Sequence, residues 1–210
     1  MTNSSSPILV LASKSPRRIE IIENAWPNSF AIQPSGYKED SPDKNESVQA
    51  YTARIALEKV KSIYIDKYPN KFCVSADTAV SVDGNILLKP SSKIEAIKML
   101  SKLRNRDHIV STSVSINILA IEDPIVVSTI TRVNFRNYSD EEINNYVATG
   151  TVFDKSGGYA IQDKKFQPAR KIDGCYLNVV GLPICALKQQ IDKISSDFAK
   201  SIKLLSCGDC

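Results

Sequence analysis

Hydrophobic positions in this chain fall into short buried runs, alternating stretches and helical stripes, and their order along the sequence predicts a mixed α/β fold. Ile8 to Ala12 is an apolar run of the length that fills a central strand. Ser13-Lys14-Ser15-Pro16 follows, with Pro16 suited to a first helical position and the serine before it to a cap. The first unit therefore reads strand, tight loop, helix. Val48, Tyr51, Ile55 and Val60 recur at helical spacing within Glu46 to Ile63, whereas Ile32 to Asn45 mixes prolines, a glycine and charges and reads as a loop. Phe72-Cys73-Val74 predicts a second buried strand ending at Ser75-Ala76-Asp77-Thr78. A hairpin is expected next, from Val80 and Val82 through Asp83-Gly84 to Ile86 and Leu88.

Ile94, Ile97, Leu100 and Leu103 mark a further helix. His108 to Ala120 and Ile125 to Phe135 alternate like long antiparallel strands, with Val110, Thr112, Val114, Ile116 and Ile118 on one face. Ser139 and Glu142 form a capping box for a helix reaching Gly150. Segments 154–162 and 173–183 are punctuated by glycine, and Leu182 to Phe198 predicts a closing helix. Neither a repeat nor a linker interrupts the pattern. One mixed-sheet α/β domain, single or bilobal about a central cleft, is expected over 7–199, with a flexible segment at 1–6 and a tail at 200–210.

Composition narrows the function classes. A hydrophobic share of 42% and a charged share of 24% over 210 residues describe one globular core. No apolar run has the length of a membrane span, and the opening lacks the charge order of a secretory signal. The surplus of Lys and Arg, 27 against 23 acidic residues, suits a small anionic ligand and lacks the density of a nucleic-acid surface. Five cysteines, an odd number in mostly apolar contexts, favour a reducing compartment, and the cytoplasm is the expected location. Cys207 and Cys210 lack the further ligands that a zinc site needs. His108 is the sole histidine, and without a nucleophile elbow a serine-hydrolase triad is disfavoured.

Three clusters carry candidate chemistry. Ser13, Ser15, Arg17 and Arg18 gather hydroxyls, guanidiniums and helix N-terminal amides into a cradle for polyphosphate. Two arginines in a first turn also oppose the helix dipole, which favours a functional reason for them. Asp77 and Thr78 leave a buried strand near Lys89, where a carboxylate can hold Mg²⁺ or activate water. Within 154–162, Gly157-Gly158 permits close backbone approach and Gln162 can pair with a base edge. Taken alone, Lys59 and Glu39 read as solvated charges.

The motifs L-A-S-x-S-P-R-R at 11–18, A-D-T-x-V at 76–80, Lys89-Pro90, Y-V-A-T-G at 146–150, D-K-S-G-G-Y-A-I-Q at 154–162 and N-V-V-G-L-P at 178–183 resemble, in order, the Maf-like nucleotide pyrophosphatases. The resemblance implies a fold similar to the inosine triphosphate pyrophosphatases and hydrolysis of a nucleoside triphosphate to monophosphate and pyrophosphate with a divalent cation, Mg²⁺ or Mn²⁺. It implies Asp77 as base or metal ligand, Glu39 as second carboxylate at the metal, and Lys59 and Lys89 against the leaving pyrophosphate. Ser13, Ser15, Arg17, Arg18, Thr78 and Gln162 would bind substrate. Arg17, Thr78 and Gln162 resemble the dTTP- and UTP-directed branch, whereas members selective for 7-methyl-GTP carry Trp at the first of these. A homodimer is also implied, with neither a nucleic-acid nor a membrane partner. Arg104-Asn105 and the polar stretch 163–171 depart from the family pattern. An inosine or xanthosine triphosphate pyrophosphatase and a non-catalytic nucleotide-binding module remain the alternatives, separated by base preference and by pyrophosphate release.

Overall fold

In the computed structural model, residues 8–63, 71–118 and 121–206 are described; segment 1–6 and the Cys207/Cys210 pair lie outside them. Seven strands form one mixed sheet: β1 (Ile8–Leu11), β2 (Ala31–Ile32), β3 (Lys71–Val82), β4 (Asn85–Leu87), β5 (Asp107–Asn117), β6 (Ile125–Phe135) and β7 (Ala169–Asp173). Their order is β2-β1-β3-β5-β6-β7, and β4 pairs with β3. β1 runs parallel to β2 and β3, while β3–β4, β3–β5, β5–β6 and β6–β7 are antiparallel. The helices are α1 (Pro16–Ala25), α2 (Val48–Lys61), α3 (Lys93–Leu103), α4 (Asp140–Ala148), α5 (Tyr176–Val180), α6 (Ile184–Ile194) and α7 (Ser196–Lys200). Among the described residues no helix is long and apolar enough to cross a membrane.

The expected strand end at Asp77 is corrected: β3 continues through Asp77 and Thr78 to Val82. β5 pairs with it along one edge from Cys73 to Ser81. On the other edge β1 stops at Val74 and β4 begins at Val80. Ser75 to Ala79 thus have a strand neighbour on one side only. The expected hairpin follows, with Asp83 at φ 51° and Gly84 at φ 73°, the left-handed pair of a two-residue turn.

Alternation sends Ser75, Asp77 and Ala79 to the face under α2, and Ala76, Thr78 and Val80 to the opposite face. On the α2 face, Tyr51 and Ile55 pack against Ala79. The serines of β5, which alternation alone would place in solvent, are buried there as well. Thr52 Oγ1 lies 3.1 Å from Ser111 Oγ and 2.7 Å from Ser113 Oγ, and Ser113 Oγ lies 2.7 Å from Ser128 Oγ. The opposite face carries two apolar clusters. One joins Leu9, Ile22, Val114, Leu182, Leu187 and Phe198; the other joins Val82, Leu100, Val110, Phe135, Tyr138 and Tyr159. A single sheet spans both, so the two lobes of the expected cleft are clusters on one platform.

Three further outcomes differ from the sequence reading. β7 and α5 were not expected, because segment 163–171 is polar and α5 is only five residues long. The closing helix divides at Ser195, whose N–H still bonds to Ile191 O while its hydroxyl accepts from Phe198 N–H. Packing also runs beyond residue 199, since Ile202 is buried and Lys203 N–H bonds to Ala25 O.

His108 lies in the second cluster, 2% exposed. Burial pushes its pKa down to about 4, against the pull of the Asp107 carboxylate and the Arg106 backbone. The unfolded chain takes up a proton near pH 6.5 that the folded chain refuses, so this contribution to stability is lost as pH falls from about 6.5 to 4. It amounts to about 3 kcal/mol across that window. Urea unfolding at pH 4 to 7 should show a steeper decline for the native chain than for His108→Gln.

Candidate active site

The unpaired edge of β3 opens into a cavity. Ser15, Arg17, Arg18, Glu39, Lys59, Asp77, Thr78, Lys89 and Gln162 all line it. Ser13 lines an adjoining cavity that shares Arg17, Glu39, Lys59 and Lys89. Residues drawn from six separate segments of sequence therefore meet at one place.

α1 begins where β1 ends. Pro16 occupies its first turn as expected, but the Ser15 side chain makes no cap bond; Ser13 Oγ instead accepts from Ser15 N–H at 3.2 Å. The helical ladder starts with Ile19 N–H to Ser15 O, so the amides of Arg17 and Arg18 precede it at the cavity wall. Arg17 reaches across the mouth to Asp154 at 3.6 Å.

Arg18 points inward. Its Nε donates to Gly181 O at 2.8 Å, Nη1 to Ala76 O at 2.8 Å and Nη2 to Thr78 Oγ1 at 3.1 Å. The guanidinium thereby takes up a carbonyl of the unpaired β3 edge, and Ser156 accepts from Val80 N–H at 2.9 Å where β4 begins. Thr112 Oγ1 donates to Asn178 O at 2.7 Å and lies 2.9 Å from Thr78 Oγ1. A hydroxyl carries one proton, so Thr78 donates to Thr112 and accepts from Arg18. Thr78 consequently faces the cavity with a lone pair and not with a donor.

On the α2 side, Lys59 Nζ lies 2.7 Å from both Glu39 Oε1 and Asp77 Oδ1, and Lys89 Nζ lies 3.2 Å from Glu39 Oε2. Lys59 is 9% exposed and Asp77 5%, so the solvated-charge reading of Lys59 is corrected. Lys59 belongs to the last turn of α2, and the docking of that helix on the sheet brings its ammonium to β3. Burial raises the pKa of Glu39, but Lys59 and Lys89 together outweigh it and hold the group at about 2. For Asp77 burial prevails over Lys59 and Arg18, and its proton affinity is raised. One carboxylate of the pair is thus a fixed anion and the other a stronger base.

The loop bearing Glu39 is tied back to α2. Tyr51 Oη donates to Asp40 O at 3.1 Å, and Arg54 bonds to both oxygens of Glu46 at 2.9 and 2.7 Å. Periodicity assigns Tyr51 to the apolar face; its polar tip was the signal for this second role. Gln162 is exposed at the cavity wall, on a segment that follows a tight turn at Ser156–Gly158.

Gly181 has φ 124°, and a Cβ there would lie 3.3 Å from Thr78 Oγ1 and 3.5 Å from Arg18 Nε. Gly181→Ala should cost roughly 1–3 kcal/mol. A drop of several degrees in a thermal melt, about 2–4 °C per kcal/mol for a chain of this size, is the expected reading.

The family model described as Maf-like protein matches residues 8–194. The chain is 36% identical over 187 residues to the dTTP/UTP pyrophosphatase of Dictyoglomus thermophilum, covering 89% of this chain and 95% of that protein. It is 40% identical over 185 residues to the dTTP/UTP pyrophosphatase of Geobacter sp., covering 88% and 93%. Among solved structures it aligns with the Ham1 protein of Staphylococcus aureus at 15% identity and a TM-score of 0.46, covering 90% and 98%. With its motifs gathered around one cavity and a family match over most of its length, the chain belongs to the Maf-like protein family.

Proposed function

We propose that this protein hydrolyses dTTP and UTP between the α and β phosphates, releasing the monophosphate and pyrophosphate. The observation that carries this reading is the Asp77–Lys59–Glu39 cluster opening into the cavity that also takes the basic first turn of α1. The names of the D. thermophilum and Geobacter relatives supply the substrate pair.

A divalent cation fits the donor set. Among the described residues no three His, Cys, Asp or Glu side chains are gathered to hold a metal, but Glu39 and Asp77 meet on one ammonium and offer hard oxygens. That matches the way Mg²⁺ is held by one or two carboxylates together with water and substrate phosphates. Glu39 and Asp77 would hold the ion, which when bound neutralises phosphate charge and acidifies water.

The protein groups divide the remaining work. Ser13, Ser15, Arg17 and the α1 amides hold the phosphate chain, and Arg18 keeps the β3 edge and Thr78 in place beside them. Asp77 takes a proton from water. The oxygen of that water forms a bond to the α-phosphorus, the bond to the bridging oxygen breaks, and pyrophosphate leaves with that oxygen. Lys59 and Lys89 offset the charge that develops on it. At the cavity wall, the Gln162 amide can both donate to and accept from the 2-keto, N3–H and 4-keto edge of thymine or uracil. The reading extends to a cytoplasmic homodimer, supported by the odd cysteine count and by family resemblance.

Asp77→Asn should lower kcat by roughly 10²–10⁴-fold while the melt stays that of a folded protein. Near-native turnover in the folded variant would remove Asp77 from the base role. Pyrophosphate release across a nucleotide panel should rank dTTP and UTP above CTP, ATP and GTP, with 7-methyl-GTP poor. A faster rate on 7-methyl-GTP would overturn the substrate reading.

A further inference from the structure

The segment from Tyr159 to Gln162 forms one wall of the cavity, and its anchoring comes from side chains behind it. Tyr159 is 6% exposed, and its hydroxyl lies 2.8 Å from His108 Nε2. Its ring meets Phe135 edge-on, with centroids 4.7 Å apart. Ala160 N–H donates to Tyr146 Oη at 3.0 Å. Tyr146 is itself held by stacking on Phe166, with ring centroids 4.3 Å apart and planes 10° apart. Beyond the wall, Asp163 N–H bonds to Ala160 O, and Asp163 Oδ1 accepts from Lys165 N–H and Phe166 N–H. The wall thus has one polar anchor on β5 and another on α4.

The two anchors are expensive ones. His108, Tyr146 and Tyr159 put polar tips into an apolar cluster where phenylalanine or leucine would pack without desolvating anything. The His108 ring is also held by the Arg106 backbone. Each anchor does what an apolar ring cannot: it fixes the height of the wall as well as its presence. His108 sets how far the Tyr159 ring sinks into the cluster, and Tyr146 sets the position of the Ala160 backbone. Gln162 follows two residues later, so both determine where its amide stands relative to a nucleobase.

Resting on the dTTP/UTP reading above, we propose that His108, acting through Tyr159, and Tyr146 are positioning residues that set nucleobase selection by holding the 159–162 wall. Among the described residues no hydrogen bond or ion pair joins them to the Asp77–Lys59–Glu39 cluster, so the wall can shift without disturbing the chemical step. Base discrimination then depends on hydrogen bonds made behind the cavity.

The test compares Tyr159→Phe and Tyr146→Phe, each lacking one hydroxyl, with His108→Gln, which keeps an acceptor. kcat and KM are measured for dTTP, UTP, CTP and dATP, with melts in parallel. Both Phe variants should lose about tenfold of the ratio of kcat/KM for dTTP over CTP, through KM, with kcat for dTTP within about twofold of native. His108→Gln should retain more of the ratio than Tyr159→Phe. Phe198→Leu, in the other apolar cluster, is the control for destabilisation alone and should leave the ratio intact. A native ratio in both Phe variants, whatever their melting temperatures, overturns the proposal. If Tyr159→Phe fails to fold, Tyr146→Phe decides it. A native enzyme that does not prefer dTTP and UTP would refute the substrate reading instead. The positioning role is then judged by whether the same variants change relative kcat/KM among the nucleotides it does prefer.

Discussion

Everything at the site depends on a gap in a hydrogen-bond ladder. β3 has a strand neighbour on both edges at each end, but from Ser75 to Ala79 one edge has none. Backbone polar groups inside a protein need partners, and a sheet ordinarily supplies them. Here Arg18 takes Ala76 O, and Ser156 takes Val80 N–H where β4 begins. Continuous pairing would leave no room for a ligand beside Asp77. The same strand then presents Asp77 to one face and Thr78 to the other, so charged chemistry and the Arg18 clamp sit back to back across one backbone.

Local signals made much of this fold legible. Pro16 after an apolar run, Asp83-Gly84 between alternating residues and Ser139 three positions before Glu142 each appear as their spacing predicts. Such features are decided within a few residues. β3 is different: nothing near Asp77 says whether a strand ends there, because the neighbours that stop and restart are β1 and β4. Lys59 is hidden for the same reason. A lysine in the last turn of a helix normally meets solvent, and only the docking of α2 on β3 places it between two carboxylates. The β5 serines follow a half-buried alternation, and only the third dimension shows α2 above them.

Site residues were legible as types and positions, but not as partners. Arg17 and Arg18 are neighbours in sequence, yet one spans the cavity mouth to Asp154 and the other is built into the protein. Adjacent helical residues point about 100° apart, so one faces the opening while the next faces the sheet. Glu39 sits in a loop with no regular pattern, and its place comes from two lysines and from the contacts that Tyr51 and Arg54 make with its loop.

The small hydroxyl side chains between α2 and the sheet have a geometric effect at a distance. Thr52, Ser111, Ser113 and Ser128 occupy little volume and satisfy one another, so this part of the layer under the helix is thinner than leucine would make it. Lys59 stands two turns further along that helix, where clearance decides whether an ammonium reaches a strand carboxylate. The thickness of an uncharged layer therefore acts as a shim for the charged one. Substitutions that enlarge the shim would be felt first as a change in proton affinity at Asp77, in a protein whose apolar core is unaltered.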